Sequence, residues 1–343
     1  MWLINTDTFK LEYVMNHVKG SYAILSHTWE EDEISFQDFQ DLRIAKEKAG
    51  FAKTQQTVWK AGCMNLKYVW VDTCCIDKSS SAELSEAINS MFRWYTDAAV
   101  CYAYLSDFPD RERIAKLHPE ADGPHIKRLQ STSFARCRWF ERGWTLQELL
   151  APDTVKCYDS DWNLYGTKTT LEEKISRVTR IPVGVLRKST PLHQVMIARK
   201  MSWTANRKTT RLEDTAYCLM GIFDINMALL YGEGVKAFIR LQEEICKQSS
   251  DLSLFAWTAP FDDIDPLAPS QAYRGILSAS PAEFKSCHTI LPYQGRSYQG
   301  EFRMPNRGLC LEQLTLRAYH GSISLGLDWY DESTGSAQLA IDL

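Results

Sequence analysis

The chain has 343 residues, 45% of them hydrophobic and 24% charged. That length is more than one ordinary core needs and implies two domains, or one domain with an appendage. A net charge of −4 argues against a general nucleic-acid binder, whose backbone contacts need a basic surplus.

The ten cysteines include no C-x-x-C pair, only the adjacent Cys74-Cys75. Seven scattered histidines add no metal-ligand spacing, so no metal is expected. Met1-Trp2-Leu3-Ile4 runs straight into Asn5-Thr6-Asp7, too short an apolar stretch for a signal peptide or a membrane span. Reduced thiols and a cytoplasmic location are expected, with neither nucleic acid nor a membrane span involved.

Tyr22-Ala23-Ile24-Leu25 is a short apolar run that ends at Ser26-His27-Thr28-Trp29 and the acidic Glu30 to Glu33. Such runs read as buried parallel strands with functional loops at their carboxyl ends. Helical spacing follows through Phe36, Phe39 and Leu42, and again from Thr54 to Asn65. Tyr68 to Asp72 then makes a second strand, completing a strand–crossover–strand unit. Ser80 and Glu83 have the spacing of a capping box, and Leu84, Ala87, Ile88, Met91, Phe92 and Tyr95 form one helical stripe.

Ala99 to Leu105 reads as a third buried strand. The charged segment Pro109 to Ser131 reads as a surface insertion. A fourth strand is expected over Thr154–Tyr158, then a second capping box at Thr170 and Glu173 with a helix through Leu171, Ile175 and Val178. Residues 194–248 look helical throughout, broken at Gly221 and at Gly232-Glu233-Gly234. From residue 256 prolines rise and segments such as Gly308 to Leu316 alternate like strands. The expected division is therefore 1–255 and a β-rich 256–343. Ala340-Ile341-Asp342-Leu343 stops in strand-like sequence, as in a piece of a longer protein.

Candidate chemistry centres on a short helix between Gly143 and Pro152. Leu146, Leu149 and Leu150 share one face of it; Trp144 and Glu148 share the other, one turn apart. An indole beside an acid on an exposed face can hold a flat cationic ring. The alternative is an idle pair, with Glu148 in solvent and Trp144 packed on the 109–131 insertion. Ser26, His27 and Trp29 fall at a strand's carboxyl end, where a hydroxyl, an imidazole and a ring suit ribose, phosphate or base. They suit equally a loop that caps the sheet. Asp72 and Asp77 bracket Cys74-Cys75, with Asp72 an acceptor for ribose hydroxyls or a loop cap.

A His27–Cys75 dyad is the rival arrangement, that of a cysteine hydrolase without a protease signature. Gly232-Glu233-Gly234-Val235-Lys236 lacks phosphate-loop spacing and reads as a turn opening a helix. The basic run Asn206 to Asp214 suits phosphates or a partner, or internal pairing of Arg207 and Arg211 with Glu213 and Asp214.

Four blocks together resemble the fungal heterokaryon-incompatibility (HET) domain. They are Tyr22 to Trp29, Val69 to Asp77, Arg142 to Pro152, and Met201-Ser202-Trp203 through Arg211 to Phe223. The tail from Tyr273 to Ala279 and Asn306 to Leu309 resembles a β-rich extension that often follows such domains. The resemblance implies a role in triggering cell death when genetically unlike hyphae fuse. It also implies self-association, and nucleotide-binding oligomerisation and repeat-sensor modules in a longer chain.

HET domains are distantly similar to TIR domains, whose catalytic members carry a tryptophan and a glutamate at the Trp144-x-x-x-Glu148 spacing after a third strand. That similarity implies a TIR-like α/β fold, with a mainly parallel sheet flanked by helices, a helical elaboration over about 165–250 and a small β appendage. It implies NAD as substrate rather than as a permanently bound cofactor, with Glu148 cleaving the nicotinamide–ribose bond. The expected substrate contacts are then Trp144, Ser26, His27, Trp29, Asp72, Cys75 and Asp77. The alternative is a non-catalytic signalling module that recruits partners.

Overall fold

The computed structural model describes residues 1–15, 18–258 and 275–292 continuously, and the backbone of short strands between 302 and 342. The chain divides into two compact units, Met1–Ser189 and Thr190–Leu343. The helical stretch grouped above with the amino-terminal domain therefore falls in the second unit.

The first unit is built on a sheet whose strands are β1 (Trp2–Asn5), β2 (Leu11–Tyr13), β3 (Tyr22–His27), β4 (Tyr68–Trp70), β5 (Val100–Tyr104), β6 (Val155–Tyr158) and β7 (Leu164–Thr167). Their spatial order is β2-β1-β4-β3-β5-β6-β7. The central four, β4, β3, β5 and β6, are parallel. Antiparallel β1 and β2 extend one edge and antiparallel β7 the other. An α/β fold with a mostly parallel sheet is thus observed.

Every residue of β3 is buried, which is why the run Tyr22 to Leu25 is continuously apolar rather than alternating. The chain leaves β3 through α1 (Phe36–Gln40), α2 (Leu42–Glu47) and α3 (Phe51–Gly62), returns in β4, and crosses by α4 (Ser81–Asp97) to β5. From β3 the chain thus runs first to β4 on one side and then to β5 on the other. Strand order reverses beside β3, and in open α/β sheets the crevice for ligands opens at such a point, beyond the strands' carboxyl ends.

Adjacent residues of a strand point to opposite faces. The Tyr22 hydroxyl donates to the Trp94 carbonyl of α4, so Tyr22, Ile24 and Ser26 face α4. Ala23, Leu25 and His27 face the other side, where α3 packs on β3.

Local expectations are met unevenly. Ser80 caps α4 by accepting from the Glu83 amide at 3.3 Å, but the Glu83 carboxylate accepts from the Asp77 amide at 3.0 Å instead of closing the box. The charged segment 109–131 forms two surface helices, α5 (Arg111–Leu117) and α6 (Gly123–Ala135), capped by Asp110 and Asp122. Each buries a single residue, Ile114 and Phe134. Then come α7 (Thr145–Leu150), α8 (Glu172–Thr179) and α9 (Val183–Leu186). The second capping box does not form: Thr170 Oγ1 is taken by the Thr167 amide at 2.8 Å, and α8 starts at Glu172 without a side-chain cap.

In the second unit, helix is less continuous than the periodicity suggests. It is split into α10 (Ile197–Ser202), α11 (Asp214–Tyr217), α12 (Met220–Phe223) and α13 (Lys236–Gln248). Gly221 sits inside α12 and breaks nothing. Gly232 and Gly234 do break the chain, at φ of 105° and 61°, a region that costs residues with a Cβ. Beyond residue 290, the described strands pair antiparallel in three small sheets. Tyr273, Arg274, Asn306 to Leu309 and Leu343 lie outside the described residues.

Candidate functional site

Glu148 lies in α7, which packs against β3 and α4. Every residue from Thr145 to Leu150 is buried, and Glu148 is only 4% exposed. The amphipathic wheel placed it in solvent; the sheet, α4 and the preceding 3₁₀ turn, Arg138–Glu141, enclose it instead. Ser26 Oγ donates to Glu148 Oε2 and itself accepts from Trp139 Nε1 at 2.8 Å. Because Ser26 faces α4, these groups form a dry cluster on that face of the sheet. The Tyr95 hydroxyl, donating to the Leu25 carbonyl at 2.9 Å, borders it.

The far end of α7 is also held by charge. Helix carboxyl ends leave carbonyls unpaired and attract cations. Lys168 Nζ donates to the carbonyls of Leu149 (3.3 Å) and Pro152, and Lys188 Nζ to that of Ala151 at 2.6 Å. Burial, aided by the charge of Lys188, pushes the Lys168 ammonium down to about 8.

His27 points to the other face. Its Nε2 lies 3.0 Å from Asp72 Oδ1, and Trp29 Nε1 donates to Asp72 Oδ2 at 2.8 Å. Beyond His27, Glu33 pairs with the buried Lys53 of α3, with His27 Nδ1 at 3.9 Å from Glu33 Oε1. Among the described residues, His27 Nδ1 and Glu33 Oε2 are buried without a hydrogen-bond partner. Gly50 makes room for this acid, since a Cβ there would sit 2.8 Å from Glu33 Oε2. Burial opposes ionisation of Asp72, but His27's hydrogen bond and charge, then Lys78 and Arg142, outweigh it and hold its carboxyl well below the usual range.

The sequence grouped Ser26, His27 and Trp29 at one strand's end and set Asp72 at the next. Strand alternation divides them: Ser26 joins Glu148, while His27 joins Asp72 and Trp29. Trp144 is half-buried and immediately precedes α7. Asp77 accepts from Gln37 Nε2 at 2.7 Å and from the Ser79 amide at 3.0 Å, which makes it a turn cap. Cys75 is turned inward. Its sulfur accepts from the Val71 amide at 3.4 Å and lines a separate cavity of about 260 Å³ with Met1, Trp2, Glu83 and Trp94. The Cys75 sulfur is engaged by the backbone of Val71 and Val69, and among the described residues no contact joins it to His27, so the geometry does not assemble a His27–Cys75 dyad.

Three contributors went unnoticed in the sequence. Trp139 supplies the indole on Ser26, and Lys78 and Arg142 lie over the Trp29 ring at 4.0 and 4.7 Å from its centre. Arg142 was visible in the same run as Trp144 and Glu148; Lys78 and Trp139 carry no local signal. In the second unit, Glu213 Oε1 accepts from the Gly232 and Gly234 amides at 2.7 and 3.0 Å, so that glycine pair is a structural turn. Asp214 accepts from the Tyr231 hydroxyl at 3.0 Å and Arg211 lies over the Tyr231 ring.

A doubly wound α/β domain with a buried acid, and with a cation-flanked indole at its switch point, defines the class. Comparison with known proteins then places the chain. Residues 22–148 match the family described as heterokaryon incompatibility protein (HET), and residues 236–294 match a domain of unknown function, DUF8212. The chain is 47% identical over 246 residues to vegetative incompatibility protein HET-E-1 of Podospora anserina. The alignment covers 71% of this chain and 17% of that protein, so the chain spans a small part of its relative. The chain belongs to the HET family. No solved structure matches it.

Proposed function

We propose that this chain is a cell-death effector of fungal non-self recognition, and that it acts by hydrolysing NAD at the nicotinamide–ribose bond when it self-associates. Family membership and the name of the Podospora relative support the cell-death role. The observation that carries the chemistry is the Glu148–Ser26 contact at the carboxyl end of a central parallel strand.

Breaking the bond sends its electron pair to nicotinamide, which leaves as a neutral molecule without a general acid. The ribosyl group is left with oxocarbenium character, which the Glu148 carboxylate stabilises from a site of low polarity. Water adds to that carbon and its proton passes to bulk water, completing ADP-ribose. Ser26 and Trp139 fix the carboxylate's position. Half-buried Trp144 supplies a ring for the pyridinium, a cation–π contact of about 0.5–2 kcal/mol.

A second reading has its own observation. At 4% exposure, Glu148 is enclosed, which suits a non-catalytic module that signals by recruiting partners. Nicotinamide release from NAD, measured at rising concentrations of the chain, decides between them. Release that depends on concentration and is lost in Glu148→Gln supports the enzyme. Full release by Glu148→Gln removes Glu148 from the chemistry, and none by the wild type at any concentration favours the scaffold.

A further inference from the structure

We infer that the 3₁₀ turn Arg138–Glu141 is the gate of the Glu148 site, and that Arg138 latches it shut through Glu30, Ser106 and Asp107. Its use in a reaction rests on the function proposed above; its control of access to Glu148 does not.

Three walls enclose Glu148, and they differ in how firmly they are built. β3 is paired on both sides, to β4 and β5, and every one of its residues is buried. α4 runs for 17 residues, buries Ala87, Ile88, Met91, Trp94 and Tyr95, and is capped by Ser80. The turn has four residues, no side-chain cap, and 3₁₀ hydrogen bonding, which is poorer than that of an α-helix. It follows α6, a surface helix that buries Phe134 alone. The turn is therefore the wall that can move.

Its inner side plugs the site. Trp139 is 1% exposed, and its indole N–H donates to Ser26 Oγ, which in turn donates to Glu148. Phe140 is 7% exposed, and the Thr145 hydroxyl donates to the Trp139 carbonyl at 2.5 Å. Uncovering these groups is costly, so the open state is a minor one. Ser26 keeps its own bond to Glu148 when the indole leaves, so the acid stays oriented once it is uncovered.

Its outer side is held at the surface. Arg138 Nη2 donates to Glu30 Oε1 at 2.6 Å and Nη1 to Glu30 Oε2 at 3.4 Å. Nη2 also reaches Ser106 Oγ at 3.2 Å, and the Arg138 amide donates to Asp107 Oδ2 at 2.9 Å. The Ser106 hydroxyl donates to Glu30 Oε1 at 2.8 Å. Burial opposes ionisation of Glu30, but the hydrogen bonds from Arg138 and Ser106 outweigh it and hold its carboxyl below its usual range. Glu30 follows β3 and Ser106 follows β5, so the turn is tied to the loops of two neighbouring strands at their carboxyl ends. The Arg138 and Glu30 side chains are 52% and 42% exposed. Such a pair adds little to the fold and is screened by salt. Its removal nevertheless multiplies a minor open population by the full factor that the pair contributed.

Carbodiimide labelling of carboxyl groups with glycine ethyl ester, read peptide by peptide on the full chain, tests the gate without a reaction. Glu148 should label slowly in the wild type and about three- to fivefold faster in Arg138→Ala and in Glu30→Gln, the effect of a surface ion pair near the top of its usual range. Glu283, a 5% exposed carboxylate in the second unit, should label alike in all three proteins. Raising the salt concentration should speed Glu148 labelling in the wild type but not in Arg138→Ala. Unchanged Glu148 labelling in both variants would overturn the gate. So would an equal rise at Glu283, which would mean a loosened fold. Nicotinamide release is measured apart from labelling. A rise in the same proportion carries the gate into the reaction, and constant release beside faster labelling would show that the reaction does not pass through this opening. Faster labelling with no release by any variant refutes catalysis by Glu148 and leaves the gate standing.

Discussion

The two faces of β3 make different use of polar residues. On the α4 face, Ser26, Trp139 and Glu148 are all buried and meet through hydrogen bonds. On the α3 face, His27, Asp72, Glu33 and Lys53 form a chain of polar contacts that reaches the surface at Trp29, Lys78 and Arg142. Two consecutive residues, Ser26 and His27, belong to different environments because the strand turns them apart. A carboxylate in low polarity interacts strongly with nearby developing charge, whereas exposed cations attract ligands and are screened by salt.

The comparison breaks first at Glu148. Glu148→Gln keeps the shape and a hydrogen-bond acceptor for Ser26, so the fold should survive. Nicotinamide release should drop by roughly a hundredfold or more, the usual scale for removing a transition-state contact. A rate within a few-fold of wild type would make the α4 face purely structural.

Ser26→Ala should come next. It removes one partner from each of two buried groups, at a cost of about 1–3 kcal/mol, read as a lower urea midpoint. An unchanged midpoint would mean that Trp139 and Glu148 find other partners without strain.

On the ionic face, Gly50→Ala would bring a methyl within 2.8 Å of Glu33 Oε2 and 3.2 Å of Glu33 Cα. Gly50 is the N-cap of α3, where alanine is no better than glycine, and the backbone contact cannot swing away, so a net loss of about 1–3 kcal/mol is expected. Stabilisation by this variant would show that Glu33 is free to move.

Lys168 sharpens the contrast through pH. Its ammonium titrates at about 8 when folded, below the ordinary 10.5. Between those values the unfolded chain holds a proton that the folded chain has released, so folding stability rises with pH across that window. Against a Lys168→Met variant, the wild type should gain up to about 1.4 kcal/mol per pH unit there. Equal slopes would place Lys168 in water. The smallest effect belongs to the surface pair Arg138–Glu30 at 2.6 Å. Arg138→Ala should cost under about 1 kcal/mol and less at high salt.

The parallel core was legible because its strands are continuous apolar runs closed by polar residues. β4, β5 and β6 lie within the segments expected from the sequence, and β3 runs past its apolar stretch Tyr22 to Leu25 as far as His27. The position of Glu148 was legible along the chain but not in depth. A six-residue helix has too few turns for its wheel to reveal that sheet, helix and 3₁₀ turn enclose it on every side. Lys78 and Trp139 were hidden because their partners, Trp29 and Ser26, lie 49 and 113 residues away. The apparent helix over 194–248 failed for a different reason. Its apolar periodicity is real, but side-chain contacts such as Glu213 with the Gly232–Gly234 turn fix loops between short helical pieces.

The most direct test of the central claim is the NAD content of fungal cells expressing the chain, followed alongside their viability. Wild type should deplete NAD before cells die, and Glu148→Gln should do neither at equal protein level. Death caused by Glu148→Gln with NAD intact would contradict the account and make the chain a recruiting module.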